Sequence, residues 1–275
     1  MKTNSRTPKN TAAFTLTEAV IVVIIIGLLA AVILPELQRT KAKNNRISCV
    51  GRNKHIGDAY RVFASDNGDR YPLQATNNPY IYQPGGSGTA PGSVVSTNAE
   101  AWQVFQALWN ELHSPKILLC PSDRARSTSF RVTDFNGLAG APGTITTTSL
   151  GHPSNRNIAV SYAPQTLADE SRPIGLLNVD RCINFATAAT AATTPGAASG
   201  TRVVVNSPAT AASLFFVAGP GFGFHRLDGN LAYADGSVQQ VSGAHFQTAL
   251  VNAGTAYGWG TATSNGFGAA VFLLP

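Results

Sequence analysis

Residues 14–34, FTLTEAVIVVIIIGLLAAVIL, are almost wholly apolar, and the residues before them are polar and basic. A helix of that length spans roughly 30 Å, the hydrocarbon thickness of a bilayer. The pattern then changes. Over 36–65, Ile47, Val50, Ile56, Ala59, Tyr60 and Phe63 recur at roughly helical spacing among Arg39, Lys41, Lys43, Arg46, Arg52 and Lys54. This predicts a continuing amphipathic stalk whose charges face water or neighbouring subunits. Lipid head groups or DNA are the sharper alternative for those charges. Gly51 and Gly57 weaken such a helix and suggest close packing against another element. Asp66-Asn67-Gly68-Asp69 ends it with strong turn formers.

Beyond residue 67 the periods shorten. Residues 100–112 (EAWQVFQALWNEL) predict a short helix with Trp102, Phe105, Trp109 and Leu112 on one stripe. Residues 117–121 predict a buried strand ended by Pro121. Further strands are expected near 158–162, 202–206, 213–218, 230–234, 237–241 and 270–274. Asp235-Gly236, flanked by β-type runs, is a two-residue hairpin signal, and Asp228-Gly229-Asn230 reads as a second turn. Residues 84–98, 136–149 and 186–201 are small, polar and rich in Gly, Ala and Thr, as surface insertions are. Helix first and strands later imply an α+β fold with an antiparallel sheet.

Charge refines this picture. The chain of 275 residues carries 20 Lys and Arg, 14 Asp and Glu, and a net +6. Residues 1–61 hold ten of the cations and three of the acids, so they carry +7 and the rest −1. The basic excess flanks the apolar segment and lines no groove. That argues for a membrane and against nucleic acid as partner. Lys2, Arg6 and Lys9 precede the apolar run and place that end in the cytoplasm, although the basic residues after Pro35 oppose this. The run is too long for the core of a cleaved secretory signal, and Pro35-Glu36-Leu37 is no small-residue cleavage site. Glu18 stands inside the run. A carboxylate at mid-membrane costs about 2.5–3.5 kcal/mol, so it calls for a function unless it lies at the interface.

Candidate chemistry in the remainder is sparse. The five histidines are scattered, and no CxxC, HExxH, GxSxG, P-loop or GxGxxG accompanies them. The head therefore reads as non-enzymatic. Asp228, Asn230 and Asp235 could offer oxygens to calcium, without completing a recognised pattern. Cys49, Cys120 and Cys182 allow three disulfide pairings, and buried thiols are an equal alternative.

Ala13-Phe14-Thr15-Leu16-Thr17-Glu18, a basic leader before it and an apolar helix after it resemble the N-terminus of type IV pilins and type II secretion pseudopilins. The resemblance implies cleavage by a prepilin peptidase between Ala13 and Phe14, where the family usually has Gly before the cut. It implies N-methylation of Phe14, and makes Glu18 the fifth mature residue, paired with the terminal amine of a neighbouring subunit. Pro35 is implied as a helix kink bordering a segment that loosens within a filament. Three more blocks resemble large pilin-like proteins of planctomycete and verrucomicrobial bacteria. They are Cys49 with Gly57-Asp58-Ala59-Tyr60 and the turn after it, Leu119-Cys120-Pro121-Ser122-Asp123, and the H-x9-DG element of His225, Asp235 and Gly236. The expected organisation is a leader (1–13), a transmembrane and assembly helix (14–35), an amphipathic stalk (36–66) and a pilin-like α+β head (67–275). The expected partners are the peptidase/methyltransferase, the inner membrane and other pilin or pseudopilin subunits. The head would lie outside the cytoplasm, in a pilus or a periplasmic pseudopilus. The rival reading is a permanently membrane-anchored binding module.

Overall fold

The computed structural model describes residues 15–75, 100–127, 130–137, 143–166, 168, 170–186, 190, 200–218, 225, 227–257 and 270–275. The leader, Ala13, Phe14 and the insertion at 84–98 lie outside the described residues. The chain divides into two compact units, residues 1–44 and 45–275.

One helix, α1 (Leu16–Asp66), runs through both units. Pro35 lies inside it and cannot donate to the carbonyl four residues back. In the first unit the apolar side chains from Leu16 to Leu34 are exposed, and no part of the most apolar stretch is buried. This stretch is long and apolar enough to cross a membrane.

In the second unit the C-terminal part of α1 is a core element. Its buried face is Cys49, Asn53, Ile56, Tyr60 and Phe63, spaced by three or four residues as one helical face requires. Of the residues expected on this face, Ile56, Ala59, Tyr60 and Phe63 are buried, Val50 is half-buried and Ile47 is exposed. The helix ends as its sequence requires. Gly68 and Asp69 adopt φ of 68° and 59°, and the Asp69 amide donates to the Ala64 carbonyl at 2.8 Å.

The expected helix at 100–112 is two short pieces, α2 (Ala101–Ala107) and α3 (Trp109–Leu112), broken at Leu108. The expected strand at 117–121 is instead a 3-10 turn, Pro115–Leu118. The rigid ring of Pro115 suits the first position of such a turn. A single turn, α4 (Arg124–Ser127), follows.

The strands are β1 (Tyr162–Pro164), β2 (Leu176–Asp180), β3 (Ile183–Phe185), β4 (Arg202–Val205), β5 (Leu214–Phe216), β6 (Asp228–Tyr233), β7 (Val238–Ser242) and β8 (Ala270–Leu273). Two helices fall among them, α5 (Pro208–Ala212) and α6 (Gly243–Tyr257). A four-stranded antiparallel sheet has the order β1-β2-β6-β7, and β3-β5 and β4-β8 form two-stranded antiparallel sheets. The segment near 158–162 is a 3-10 turn, Arg156–Ala159, before β1 begins.

The central sheet buries both faces. Tyr162, Leu177, Ala232 and Ala234 join Ile56, Tyr60 and Phe63 of α1 and Phe105 of α2 in one core. Leu176, Val179 and Leu231 join Phe246 and Leu250 of α6, Phe216 and Phe272 in a second. A register shift between Leu176 and Asn178 brings Leu176 and Val179, three residues apart, to the same face, with Leu177 on the other. Gly57 sits where α1 meets the hairpin. A Cβ built there would lie 3.7 Å from the Gly236 Cα and 3.8 Å from a Leu177 methyl. Gly51 is exposed and meets nothing, so its predicted close packing is not found.

Candidate functional site

Two places carry polar chemistry in positions that packing alone does not require. The first is the start of α1. Glu18 Oε2 accepts hydrogen bonds from the Thr15 amide at 2.9 Å and the Thr15 hydroxyl at 2.7 Å. The Thr15 Oγ1 accepts from the Glu18 amide at 3.3 Å. This reciprocal pair is a capping box, which satisfies backbone donors that a helix N-terminus leaves open. Its signature, Thr-x-x-Glu, was readable in Thr15-Leu16-Thr17-Glu18 and was missed. Glu18 is exposed, one turn into the apolar surface.

The second place is a buried polar centre between α1 and the central sheet. The Leu119-Cys120-Pro121-Ser122-Asp123 block builds one wall. The Asp123 amide donates to the Cys120 carbonyl at 2.9 Å, closing a turn with Pro121 at its second position. That turn delivers the Asp123 carboxylate into the interior. Arg181 grips it with two donors, at 2.7 and 2.8 Å, and the Ser161 hydroxyl donates to it at 2.9 Å. Arg126, also buried, donates to the Pro275 carbonyl at 2.7 Å. Burial and the neighbouring Arg181 guanidinium pull its pKa down to about 9.

Cys49 of α1 and Cys120 of the turn form a disulfide, with Cα atoms 5.2 Å apart. Of the pairings open on sequence this one is realised, and Cys182 is a buried thiol. His225 lies against the disulfide, its Nε2 3.4 Å from the Cys120 Sγ and 3.7 Å from Asp180 Oδ2. Asp180 Oδ2 accepts from the Asn230 amide at 2.8 Å and from its side-chain amide at 3.1 Å. Burial pushes the Asp180 carboxyl up to about 8. Burial, helped by the Arg46 charge, pulls the His225 imidazole down to about 4. Between those values both groups are neutral, and they meet as polar neighbours rather than as an ion pair.

The H-x9-DG element is thus divided between two places. Asp235 and Gly236 lie in the β6–β7 connection. The loop is of three residues, Ala234 to Gly236, not two. The Gly236 amide donates to the Tyr233 carbonyl at 2.9 Å, and the Tyr233 amide to the Ser237 carbonyl at 2.9 Å. Gly236 has φ 80°, which Gly adopts without cost. Asp235 Oδ1 accepts from the Ser237 amide at 2.7 Å. His225 precedes the opposite end of β6, and a six-residue strand spans about 20 Å. The interval between His225 and Asp235 is therefore the length of one strand with its entry and exit. No hydrogen bond joins the two.

The same geometry separates the oxygens considered for calcium. Asp228-Gly229-Asn230 is not a turn but the start of β6. Asp228 pairs with Arg46 at 3.7 Å, Asn230 bonds Asp180, and Asp235 lies past the strand's far end. The three do not converge.

The hairpin tip is held to the C-terminal part of α1. Lys54 Nζ donates to the Gly236 carbonyl at 2.9 Å, and the Tyr71 hydroxyl to the Ala234 carbonyl at 3.1 Å. Of the Gly57-Asp58-Ala59-Tyr60 block, Gly57 faces the Gly236 backbone there. No known family, curated protein or solved structure matches this chain.

Proposed function

We propose that the chain is a structural subunit of a type IV pilus or type II secretion pseudopilus. The precursor is cut between Ala13 and Phe14 by a prepilin peptidase and methylated on Phe14. The mature protein is held in the inner membrane by the first part of α1, with its head outside the cytoplasm. It is drawn into a filament through that helix, Glu18 pairing with the terminal amine of a neighbouring subunit. Two charges of opposite sign in low dielectric are each costly alone, and pairing lowers both costs. The role is architectural, and no catalytic step is assigned to the head.

The observation that carries this reading is the unburied apolar surface of α1 with one carboxylate in its first turn. An anchor alone needs the surface and not the carboxylate. The division of the chain near residue 44 fits a membrane helix joined to a separately packed head. Shearing cells that carry the full machine, then comparing wild type with Glu18→Ala, tests it. Filaments from wild type only, with the variant retained in membranes, support assembly. Wild type confined to membranes supports a permanently anchored module instead.

A further inference from the structure

Cys49, Cys120 and His225 form one buried cluster, and Asp180 stands beside its histidine, 3.7 Å away. We propose that the reduced protein binds one thiophilic divalent cation of the zinc type through Cys49 Sγ, Cys120 Sγ, His225 Nε2 and the Asp180 carboxylate. This inference rests on the head's geometry and does not depend on the filament reading.

Zinc takes four ligands of sulfur, nitrogen and oxygen in tetrahedral sites; the two cysteines and His225 supply three, and Asp180, beside His225, is the fourth. The sulfurs of Cys49 and Cys120 and the imidazole nitrogen of His225 all lie within 4.8 Å of one another, and all three residues are buried. Bond lengths of about 2.3 Å to sulfur and 2.0–2.2 Å to nitrogen and oxygen set tetrahedral edges of about 3.6 Å for S···N and 3.4 Å for N···O. The structure has 3.4 Å from Cys120 to His225 and 3.7 Å from His225 to Asp180. Two edges of the tetrahedron therefore stand at nearly the metal-bound spacing. The sulfurs, bonded to each other in the oxidised state, must part to about 3.8 Å. Oδ1 of Asp180 is buried with no hydrogen-bond partner among the described residues, while Oδ2 is fixed by Asn230. Such a carboxylate is an oriented ligand with unused acceptor capacity.

The charge balance is also met. Two thiolates and a carboxylate around a divalent cation leave one negative charge. Arg46 acts on His225, and Arg181 acts on Asp180. Asp123, which also acts on His225 and Asp180, is held by Arg181. Reaching the site from the disulfide takes two electrons. A phosphine and one water convert the S–S bond to two thiols and a phosphine oxide, and the cation then displaces both thiol protons and the proton of the Asp180 carboxyl. A chain not yet oxidised needs no reductant. The site thus gives Cys49 and Cys120 a holder that keeps both from Cys182 until oxidation.

The test uses the full chain in detergent, reduced with a phosphine in denaturant and refolded with cobalt(II). The expected result is one cobalt per chain, with thiolate-to-cobalt charge-transfer bands that zinc abolishes. Cys49→Ser and Cys120→Ser lose the bands, and Cys182→Ser keeps them. His225→Ala and Asp180→Asn weaken cobalt at least about tenfold. Never-reduced protein binds none. Reduced protein that regains the native circular dichroism without the bands overturns the proposal. So does a chain that stays unfolded with cobalt present, or bands that need Cys182.

Discussion

Thr15 and Glu18 satisfy each other across the first turn of α1, each side chain accepting from the other's backbone amide. The only carboxylate in the apolar run therefore has a local role beside the one proposed for it between subunits. The two roles separate by mutation. Glu18→Gln keeps a residue able to complete the capping box and removes the charge. Thr15→Ala removes the cap and keeps the charge. The filament account predicts that Glu18→Gln fails to enter sheared filaments and that Thr15→Ala enters them. If Thr15→Ala fails as completely as Glu18→Gln, Glu18 acts as a cap and the pairing role is wrong.

The Cys49–Cys120 bridge joins residues 71 apart. In the chain-entropy model such a loop is worth about 4 kcal/mol. Cys120→Ser in the presence of a chelator is expected to lower unfolding stability by about that amount, as read by urea denaturation of the head's circular dichroism. The same treatment of Cys182→Ser should show a much smaller loss. Equal losses would remove the bridge from its stabilising role.

Asp180 and His225 give the oxidised head an uneven response to pH. The folded Asp180 carboxyl titrates near 8 and an unfolded one near 4. Across that interval the native state holds a proton the unfolded chain has lost, so this contribution falls as pH rises. His225 titrates near 4 when folded and near 6.5 when unfolded. Its contribution rises with pH between those values and largely offsets the first. From about pH 6.5 to 8 Asp180 acts alone, and stability should fall by at most about 2 kcal/mol. Asp180→Asn should flatten that decline in chelator-treated protein. An unchanged slope would show that Asp180 does not titrate there.

Glycine positions differ sharply in what they tolerate. A Cβ on Gly229 would come within 2.1 to 2.6 Å of the Phe216 ring, which stacks on Phe246 at 4.4 Å. Gly229→Ala should cost about 1–3 kcal/mol through forced repacking. Gly51 is an exposed helix position with open space around it. Gly51→Ala should stabilise by up to about 1 kcal/mol. Thermal unfolding of the two variants checks both signs.

Legibility in the sequence followed the range of the forces involved. The apolar run, the Asp66–Asp69 stop, five of the strands and the Asp235-Gly236 turn are written in local chemistry, and all were readable. The helix α6 was equally written, with Phe246, Ala249, Leu250 and Ala253 on one face, and was overlooked. Strand β2 was hidden, because Asn178 and Asp180 interrupt its apolar pattern. Asp180 is polar for its bonds with Asn230 of β6 and for its neighbour His225, and nothing in the structure explains Asn178. The segment at 117–121 misled in the opposite direction, since Ile117 and Leu118 are apolar for burial in a 3-10 turn. The contact of His225 with Cys120 and Asp180 joins residues 105 and 45 positions apart, and no local pattern announces it. The H-x9-DG spacing suggested a pair, but the strand between its ends keeps them apart.

The central claim concerns the N-terminus, and one measurement reaches it directly. Intact-mass and N-terminal peptide spectrometry on protein from native membranes should find a chain beginning at methylated Phe14. A chain still beginning at Met1, in cells with an active prepilin peptidase, would contradict prepilin processing and leave a permanently anchored protein.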